Sequence, residues 1–211
     1  MSAMTLERGL AEMGLNLPAD VLAKLLEFAA LLQKWNKVYN LTSIRGAGQV
    51  ITHHLLDSLV VLPHLAGIGR LADIGSGGGL PGIPLAIATA ARQPAPAITS
   101  IETVNKKASF QQQAKIELSL ANFTVLNERV ENVRPGQPFD AVISRAFSEL
   151  ADFVGLTQHL LRPGGRFLAM KGVYPHDEIA RLPADFRIVE AVPLTVPGLG
   201  AERHLIIVEK S

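Results

Sequence analysis

Apolar residues in the first third of the chain recur at intervals of three and four, which is the period of one helix face. The spacing predicts a helix over residues 18–38 and, after a polar break over 36–48, a second helical stretch over 49–65. The apolar face of the first helix comprises Val21, Leu22, Leu25, Leu26, Ala29, Leu32 and Trp35. Because no Ser/Gly-rich linker follows, we expect residues 1–67 to form a helical extension packed on a main domain over 68–211.

The pattern changes after residue 70, where short apolar runs alternate with helix-compatible segments. The runs predict strands at 70–74, 97–102, 123–126, 139–144 and 165–170. The other segments predict helices at 83–92, 105–120, 149–161 and 176–182. Such alternation is typical of an α/β fold with a mostly parallel, Rossmann-like sheet. Two β-rich runs at the end, 186–194 and 203–210, predict an antiparallel hairpin at one edge of that sheet.

The first predicted strand runs into a glycine-rich turn, with the sequence Asp73-Ile74-Gly75-Ser76-Gly77-Gly78-Gly79-Leu80. A strand, a tight turn and a helix start are the usual way in which a doubly wound sheet holds a nucleotide-like cofactor. The glycines allow positive φ and a close approach of backbone to ligand, and the next helix directs unpaired N–H groups at the turn. The expected cofactor-binding residues of this segment are Asp73, Gly75, Ser76, Gly77, Gly79 and Leu80.

The details of the turn favour one cofactor over others. A dinucleotide fingerprint requires glycine at the sixth position, where this chain has Leu80, and the Gly-Lys-Ser/Thr of a phosphate-binding loop is absent. Asp73 would repel a pyrophosphate placed over the turn. A ligand with both an ammonium and a carboxylate group suits these residues better, and the methionine end of S-adenosylmethionine carries both. The turn therefore favours a methyltransferase over a nicotinamide-dependent dehydrogenase.

Composition narrows the remaining classes of protein. The 211 residues suffice for one α/β domain with a modest extension, and the longest apolar run, 80–91, is shorter than the roughly 20 residues of a transmembrane helix. The N-terminus lacks the features of a signal peptide and the chain has no cysteine, so we expect a cytoplasmic protein without membrane contact. The formal net charge is only +1, so any contact with nucleic acid requires a local basic patch.

Further candidates lie at the carboxyl ends of the second and third predicted strands. Glu102 ends the second strand, where its carboxylate can accept hydrogen bonds from both hydroxyls of a ribose. Thr103 beside it either lines the pocket or helps to start the helix that follows. Val130 and Glu131 come after the third strand, where an adenine ring would lie, although Glu131 by itself also fits an ordinary surface position.

Basic residues follow the later strands. Arg145 comes after the fourth strand, where cofactor and acceptor should meet. Together with Lys171, Arg203 and His204 it is expected to form a small basic rim that binds RNA phosphates. The alternative for each of these residues is an ordinary solvated charge.

Three other chemistries are disfavoured. His53, His54 and Asp57 are not expected to bind a metal ion, because adjacent histidines point to different helix faces and no third ligand follows at motif spacing. Without cysteine there is no nucleophile for methylation at carbon 5 of a pyrimidine. The Asn/Asp-Pro-Pro-Tyr motif that accompanies methylation of exocyclic amines is also absent.

Several separate motifs of this chain resemble those of a single protein family. They are Trp35-Asn36-Lys37-Val38-Tyr39-Asn40-Leu41-Thr42, His54-x-x-Asp57-Ser58-Leu59, Asp73 to Pro84, Ser144-Arg145-Ala146, Lys171-Gly172 and Glu202-Arg203-His204. With these motifs the chain resembles, over nearly its whole length, the RsmG (GidB) family of bacterial 16S rRNA guanine-N7 methyltransferases. Asn-Leu-Thr followed by His-x-x-Asp-Ser and Gly-Leu-Pro-Gly is far more specific than the turn alone.

The resemblance implies S-adenosylmethionine as the cofactor. It implies that Gly75 and Leu80 contact this cofactor, that Val130 and Glu131 lie at its adenine, and that Arg145 lies beside it at the acceptor entrance. It also implies methylation of guanine N7 at position 527, in the 530 loop of 16S rRNA, with the 30S ribosomal subunit as the partner. The expected assembly is a monomer.

The chain departs from the resembled family after the second predicted strand. Family members often have Asp-Ser and Lys-Arg there, whereas this chain has Glu102-Thr103 and Lys106-Lys107. A glutamate still accepts hydrogen bonds from ribose hydroxyls, but lysine lacks the planar fork of arginine. A bidentate phosphate contact at that point is therefore not expected.

The chemistry of guanine N7 agrees with this inventory. N7 has a free lone pair at neutral pH, so its methylation requires alignment and neither a general base nor a covalent nucleophile. We therefore expect no catalytic acid, base or nucleophile, and expect Arg145 to position the acceptor. Two alternatives remain: a noncatalytic RNA-binding or ribosome-assembly protein that keeps the fold, and a methyltransferase for a small molecule or protein.

Overall fold

A computed structural model of the protein describes residues 2–145, 147 and 149–211. Seven strands form one sheet: β1 Arg70–Ile74, β2 Ala97–Ile101, β3 Phe123–Leu126, β4 Phe139–Ser144, β5 Leu161–Lys171, β6 Phe186–Leu194 and β7 Arg203–Lys210. Their order is β3-β2-β1-β4-β5-β7-β6. Strands β1 to β5 are parallel, and β7 lies antiparallel between β5 and β6.

Helices precede the sheet and connect its strands. They are α1 Ser2–Glu12, α2 Ala19–Tyr39, α3 Ala47–Val50, α4 Asp57–Leu59, α5 Gly82–Thr89, α6 Asn105–Glu117, α7 Leu150–Thr157 and α8 His176–Ala180. A π-helical segment, Ile51–Leu56, joins α3 to α4, and 3-10 turns cover Leu62–Leu65, Val130–Asn132 and Gln158–Leu160. Within the described residues, no helix is long and apolar enough to cross a membrane.

The strand order reverses between β1 and β4. In open α/β sheets, ligands bind outside the carboxyl ends of the strands at such a reversal. Here the glycine-rich turn leaves the carboxyl end of β1, and Arg145 follows the carboxyl end of β4. The predicted α/β class with a mostly parallel sheet and an antiparallel hairpin is confirmed, and the topology brings these two segments to the same edge.

One apolar core joins the helical segment at the N-terminus to one face of the sheet. It extends from Leu6 on α1 through Phe28 on α2 to Ile207 on β7. The rings of Phe28 and Trp35 on α2 lie 6.3 and 5.7 Å, centroid to centroid, from the ring of Phe110 on α6. The face of α2 that packs on the sheet therefore includes predicted residues such as Trp35 and, in addition, Phe28, which the predicted face did not contain.

The loop after α2 is held by a side chain of the same helix. The helix ends at Tyr39, and the C-cap residue Asn40 adopts a left-handed conformation with φ 49°, a region that Asn tolerates better than most residues. Asn36 is buried, and its amide donates to the carbonyl of Ile44 at 3.2 Å while its side-chain oxygen accepts from the N–H of Thr42 at 2.9 Å. These bonds fix the loop over residues 40–46 to α2.

The largest differences between the predicted elements and the structure lie in two regions. The helix expected over 49–65 is divided into α3, the π-helical segment, α4 and a 3-10 turn. Strand β5 begins at Leu161 and α7 ends at Thr157, whereas the sequence predicted a helix to 161 and a strand from 165. The reason is tertiary, because Leu161 pairs with Phe139 of β4 across a register shift.

Candidate functional site

Three glycines give the turn after β1 its shape. Gly75, Gly77 and Gly79 have φ of 67°, 56° and 80°, angles that residues with side chains rarely adopt. The N–H of Gly75 donates to the carbonyl of Ile101 at 2.9 Å, which joins the turn to the end of β2. A Cβ placed on Gly77 would meet no described atom within 4 Å. Glycine is therefore required at residue 77 by the backbone angle, and the space beside it is open for a ligand.

Asp73 braces the turn from below. Its side chain is fully buried, and its Oδ2 accepts from the N–H of Gly82, the first residue of α5, at 2.7 Å. Its Oδ1 is buried and has no hydrogen-bond partner among the described residues. Burial raises the pKa of Asp73 to about 7, with the hydrogen bond from Gly82 and the charge of Arg145 acting against the rise. The carboxyl group is therefore part protonated at neutral pH.

A buried polar network supports the turn from α6. Gln111 is fully buried, and its amide donates to Ser76 Oγ and to the carbonyl of Gly77, both at 2.8 Å. Ser100 of β2 donates from its hydroxyl to Gln111 Oε1 at 2.5 Å and is also hydrogen-bonded to Ser76 Oγ. Since a satisfied buried network fixes one geometry, these side chains determine the position of the turn backbone.

Glu102 braces the turn from the side. It is 4% exposed, and its two carboxylate oxygens accept from the N–H of Gly77 at 2.7 Å and of Val104 at 2.8 Å. Each carboxylate oxygen has two lone pairs, so one acceptor direction per oxygen remains beyond these bonds. The contact with a ribose stays a prediction, and the structure adds that Glu102 also holds the turn in place.

Two clefts open on either side of Gly75. The larger cleft has a volume of about 570 Å³. We call it the acceptor-side cleft, because it contains Arg145, the residue predicted to lie at the acceptor entrance. It is lined by Leu41, Thr42, Ser43, Ile44, His53, His54, Asp57, Gly75, Ser76, Gly77, Gly78, Leu80, Arg145, Met170, Lys171, Gly172 and Arg203. Its lining comes from the N-terminal helical segment, the glycine turn and the carboxyl ends of β4 and β5, so it exists only in the folded chain.

The second cleft, which we call the nucleoside-side cleft, has a volume of about 320 Å³. It is lined by Ile74, Gly75, Ile101, Thr103, Glu128, Arg129, Val130, Glu131, Phe147 and Leu156. Ile74 and Ile101 end β1 and β2, and the lining residues from 103 to 131 follow β2 and β3. Phe147 follows β4 in the chain, and Leu156 lies on α7. The apolar side chains form a surface suited to a flat ring system, with polar groups at its edge.

The two clefts bring most of the predicted cofactor residues together. The lining residues among them are Gly75, Ser76, Gly77, Leu80, Thr103, Val130, Glu131 and Arg145. The remaining three line neither cleft: Gly79 is part of the turn itself, and Asp73 and Glu102 support the turn through hydrogen bonds. Direct contact of any of these residues with a cofactor stays a prediction.

Asp57 joins two arginines that are distant in sequence. Arg145 donates from Nη1 to Asp57 Oδ2 at 2.9 Å and to the carbonyl of His53 at 3.3 Å. Arg203, at the start of β7, donates from Nε to Asp57 Oδ1 at 2.7 Å. The cluster ties the N-terminal helical segment to β4 and β7 at the wall of the acceptor-side cleft. Ala146, which belongs to the same sequence motif as Arg145, lies outside the described residues.

His54 is held in one neutral tautomer by its partners. Its Nδ1 lies 3.0 Å from the carbonyl of His53, which can only accept, so Nδ1 carries the proton. Its Nε2 then accepts from the hydroxyl of Thr42 at 3.0 Å, and that hydroxyl oxygen accepts from the N–H of Ile44 at 3.1 Å. Burial and the charge of Arg145 lower the pKa of His54 to about 4. His54 therefore positions the 40–46 loop and has no free lone pair for proton transfer.

Lys171 and His204 are also engaged with the protein. Lys171 donates to the Glu178 carboxylate at 2.6 Å and to the carbonyl of Phe147 at 3.0 Å, and its side chain is 9% exposed. The same Glu178 oxygen accepts from the N–H of Leu150 at 2.8 Å. His204 Nδ1 lies 2.7 Å from the carbonyl of Gly172. A contact of Lys171 or His204 with RNA stays a prediction.

Sequence reasoning overlooked several residues that the structure places at the site. Ser100 lies within a predicted strand and Gln111 within a predicted helix, and nothing in the sequence around them indicates a role at the site. His54 and Asp57 were interpreted only as residues that do not bind a metal ion, because the bonds of Asp57 to Arg145 and of His54 to Thr42 depend on tertiary packing. The one available signal was the presence of His54 and Asp57 in a specific shared motif.

Comparison with known proteins gives one consistent family. A sequence model of the GidB family, described as rRNA small subunit methyltransferase G, matches residues 21–206. Proteins named Ribosomal RNA small subunit methyltransferase G are similar over nearly the whole chain. One from Aromatoleum aromaticum is 79% identical over 211 residues, covering 100% of both chains. One from Azoarcus sp. is 61% identical and covers 96% of this chain and 93% of its own.

Solved structures show the same fold at low identity. The O-methyltransferase TomG from Streptomyces achromogenes, in complex with S-adenosylmethionine, matches with a TM-score of 0.61 and 20% identity, over 97% of this chain and 96% of its own. An O-methyltransferase from Bacillus cereus matches with a TM-score of 0.57 and 17% identity, over 87% and 91%. The fold is that of the class I S-adenosylmethionine-dependent methyltransferases, and the chain belongs to the rRNA small subunit methyltransferase G family.

Proposed function

We propose that this protein transfers a methyl group from S-adenosylmethionine to N7 of guanine 527, in the 530 loop of 16S rRNA, with the 30S ribosomal subunit as its substrate. The observation that carries the proposal is the glycine-rich turn between two unlike clefts, in a chain whose relatives are named for methylation of small-subunit rRNA. The family match supports this acceptor over a small molecule or a protein.

The residues present fit this cofactor. The nucleoside-side cleft offers apolar surface for an adenine ring and polar edges at Thr103 and Glu131. The turn backbone offers open space beside Gly77, where a side chain on residue 77 would intrude. Glu102 has unused acceptor directions at the same end of β2, where a ribose would lie. The site would hold the cofactor with its nucleoside toward β2 and β3.

The chemistry requires little of the side chains. The cofactor supplies an electrophilic methyl group on a sulfonium, and N7 of guanine supplies its own lone pair. The protein must align the acceptor and exclude competing nucleophiles such as water. Two titratable groups of the acceptor-side cleft suit this task, because Asp57 is paired with two arginines and His54 has both ring nitrogens engaged.

The helical segment has a specific place in the proposal. Residues 1–67 would act as an extension of the main domain at 68–211 that supplies one wall of the acceptor-side cleft, through the 40–46 loop and residues 53–57. RNA would enter along that wall, with Arg145, Lys171, Arg203 and His204 as candidate contacts. We propose a cytoplasmic monomer that acts without a metal ion.

The proposal is tested by supplying tritiated S-adenosylmethionine together with 30S subunits, naked 16S rRNA or total cell protein. Label is expected in 16S rRNA. Methylation at N7 makes the glycosidic bond labile, so borohydride reduction followed by aniline should cleave the labelled rRNA at one site in the 530 loop. Label without cleavage would show that another atom is methylated, and label only in protein would overturn the RNA assignment.

A further inference from the structure

The charges at the wall of the acceptor-side cleft nearly cancel. Arg145 and Arg203 carry two positive charges, and Asp57 between them carries one negative charge. Lys171, on the same wall, is neutralised by Glu178. The sequence predicts a basic rim of several cations, whereas the structure leaves at most one net positive charge there.

The geometry of the guanidinium groups leaves donors available. The two guanidinium groups form their hydrogen bonds to described residues through Nη1 of Arg145 and through Nε and Nη1 of Arg203. Nε and Nη2 of Arg145 and Nη2 of Arg203 have no hydrogen-bond partner among the described residues. Both arginines line the acceptor-side cleft, and their side chains are only 21% and 24% exposed. Partial burial strengthens their interaction with an anion.

We infer that Asp57, Arg145 and Arg203 form a subsite for a single oxyanion, in which Asp57 is a positioning residue. The carboxylate fixes the directions of the two guanidinium groups and removes one of their two charges, so that one monovalent oxyanion completes the balance. Such an oxyanion comes from one of two sources, a phosphodiester of the RNA or the carboxylate at the methionine end of the cofactor. This inference rests on the proposed function.

The structure contains a matched control for this cluster. Glu209 on β7 also bridges two arginines, accepting from Arg166 Nε and Arg187 Nη2, both at 3.0 Å. The two arginine side chains there are 51% and 64% exposed, and the three residues line neither cleft. Glu209→Gln therefore makes the same change of charge as Asp57→Asn in an equivalent local arrangement, away from the site.

The first test measures binding to 30S subunits as a function of salt. For contacts with single-stranded RNA, each neutralised phosphate contributes roughly 0.7 to the slope of log affinity against log salt. If the oxyanion is a phosphodiester, Arg145→Gln and Arg203→Gln should each reduce the salt slope by the contribution of one phosphate, and the double variant should reduce the slope by the same amount. A reduction by the contribution of two phosphates in the double variant would overturn the single-anion subsite.

The second test changes Asp57. Asp57→Asn should increase the salt slope by about one phosphate, because a second positive charge is released. Methyl transfer should nevertheless fall about tenfold or more, because the guanidinium groups are no longer held in place. Opposite changes in binding and transfer distinguish positioning from a merely structural role, and Glu209→Gln should change neither. Parallel losses in both quantities, with Tm unchanged, would overturn the inference.

Calorimetric titration with S-adenosylhomocysteine identifies the source of the oxyanion. If the carboxylate of the cofactor occupies the subsite, the arginine variants should bind this ligand about tenfold more weakly and keep the salt slope. If the arginine variants keep both the affinity for S-adenosylhomocysteine and the salt slope of binding to 30S subunits, no oxyanion binds at the cluster and the inference is overturned. If Asp57→Asn fails to fold, the arginine variants still decide. A failure of the proposed function would instead appear as no transfer to 30S subunits by the unaltered protein.

Discussion

The two clefts that meet at Gly75 are built in different ways. The nucleoside-side cleft is lined mainly by residues that directly follow β1, β2 and β3, so local strand ends create it. The acceptor-side cleft combines five segments of the chain, and its charged wall is held by Asp57, which lies 88 residues from Arg145 and 146 from Arg203. The first depends on the sheet, and the second depends on how the helical segment docks on it.

The contacts that hold the two clefts in shape also differ. Buried neutral and acidic groups fix the glycine turn, namely Asp73, Ser100, Glu102 and Gln111. Ion pairs and a neutral histidine fix the acceptor side. In the proposed function this division separates a site that binds a constant cofactor from a site that selects an acceptor. Substitutions at the turn should therefore affect cofactor binding, and substitutions at the ion pairs should affect methyl transfer.

The largest effect is expected from Gly77→Val. A β-branched residue at φ 56° is strained and would place its side chain in the open space beside the turn. A loss of ~3 kcal/mol would lower the affinity for S-adenosylmethionine about a hundredfold. Calorimetric titration measures the affinity.

Gly14→Val is the matched control for that substitution. Gly14 has φ 70° and, like Gly77, no described atom within 4 Å of a Cβ, but it lies after α1 and outside both clefts. Backbone strain alone should lower Tm in both variants, and only Gly77→Val should lose the cofactor. A folded Gly77→Val variant with normal affinity would show that the turn has only a structural role.

A second effect distinguishes the acceptor side. Arg145→Ala combined with Lys171→Ala should reduce methylation of 30S subunits by more than tenfold, a larger loss than any loss of cofactor affinity, because both residues line the acceptor-side cleft. Transfer by the unaltered protein should also fall as ionic strength rises. The rate of label incorporation measures methylation, and calorimetric titration measures cofactor affinity.

Arg166→Ala combined with Arg187→Ala provides the control for loss of charge. Both arginines pair with Glu209, outside the two clefts. This variant should methylate 30S subunits at the normal rate. Equal losses of methylation in the two double variants would mean that RNA binding depends on overall charge and not on this cleft.

Glu102→Ala should have a smaller effect on cofactor affinity. The substitution removes hydrogen bonds to the N–H groups of Gly77 and Val104, and with them the predicted ribose contact. A lost hydrogen bond to a charged group costs roughly 1.5–3 kcal/mol, so affinity should fall about tenfold or more. Glu102→Gln keeps one acceptor oxygen and should recover part of that loss. Unchanged affinity in Glu102→Ala, measured by calorimetry, would remove this residue from the site.

The smallest net effect is expected from a pair of opposite pH dependences. Asp73 has its pKa raised from 3.8 to about 7 in the folded protein, so folding stability is present at low pH and is lost as pH rises through that interval. His54 has its pKa lowered from 6.5 to about 4, so stability is present above pH 6.5 and is lost as pH falls toward 4. The two contributions oppose one another between pH 4 and 7.

Variants separate these contributions when Tm is measured against pH. Relative to the unaltered protein, Asp73→Asn should gain stability as pH rises from 4 to 7, and His54→Gln should gain stability as pH falls over the same range. The double variant should vary least with pH. Curves that stay parallel to that of the unaltered protein would contradict both assignments.

Local sequence pattern predicted much of the fold because each signal acts over a few residues. The observed bounds of β1, β3, β4, β6 and β7 coincide with the predicted runs. Helix α2 begins and ends within one residue of the predicted helix. Glycines after a buried strand predicted the turn, since positive φ is a local backbone property.

The polar contacts of the site depended on packing and could not be obtained in this way. Nothing in the spacing of Gln111 indicates that its amide reaches Ser76 and Gly77, and the π-helical segment changes which face carries His54. Lys171 shows the limit most directly. Its position at the end of β5 suggested a phosphate contact, whereas the fold brings Glu178 to within 2.6 Å of its ammonium group.

The sequence by itself determined the succession of strands and helices along the chain, the glycine turn and the family to which the chain belongs. These follow from local periodicity and from residues adjacent in the chain. Only the tertiary structure decided the charge of the acceptor-side cleft. Coulombic interactions act between side chains that are close in space, and Asp57, Arg145 and Arg203 become neighbours only when the helical segment packs on the sheet.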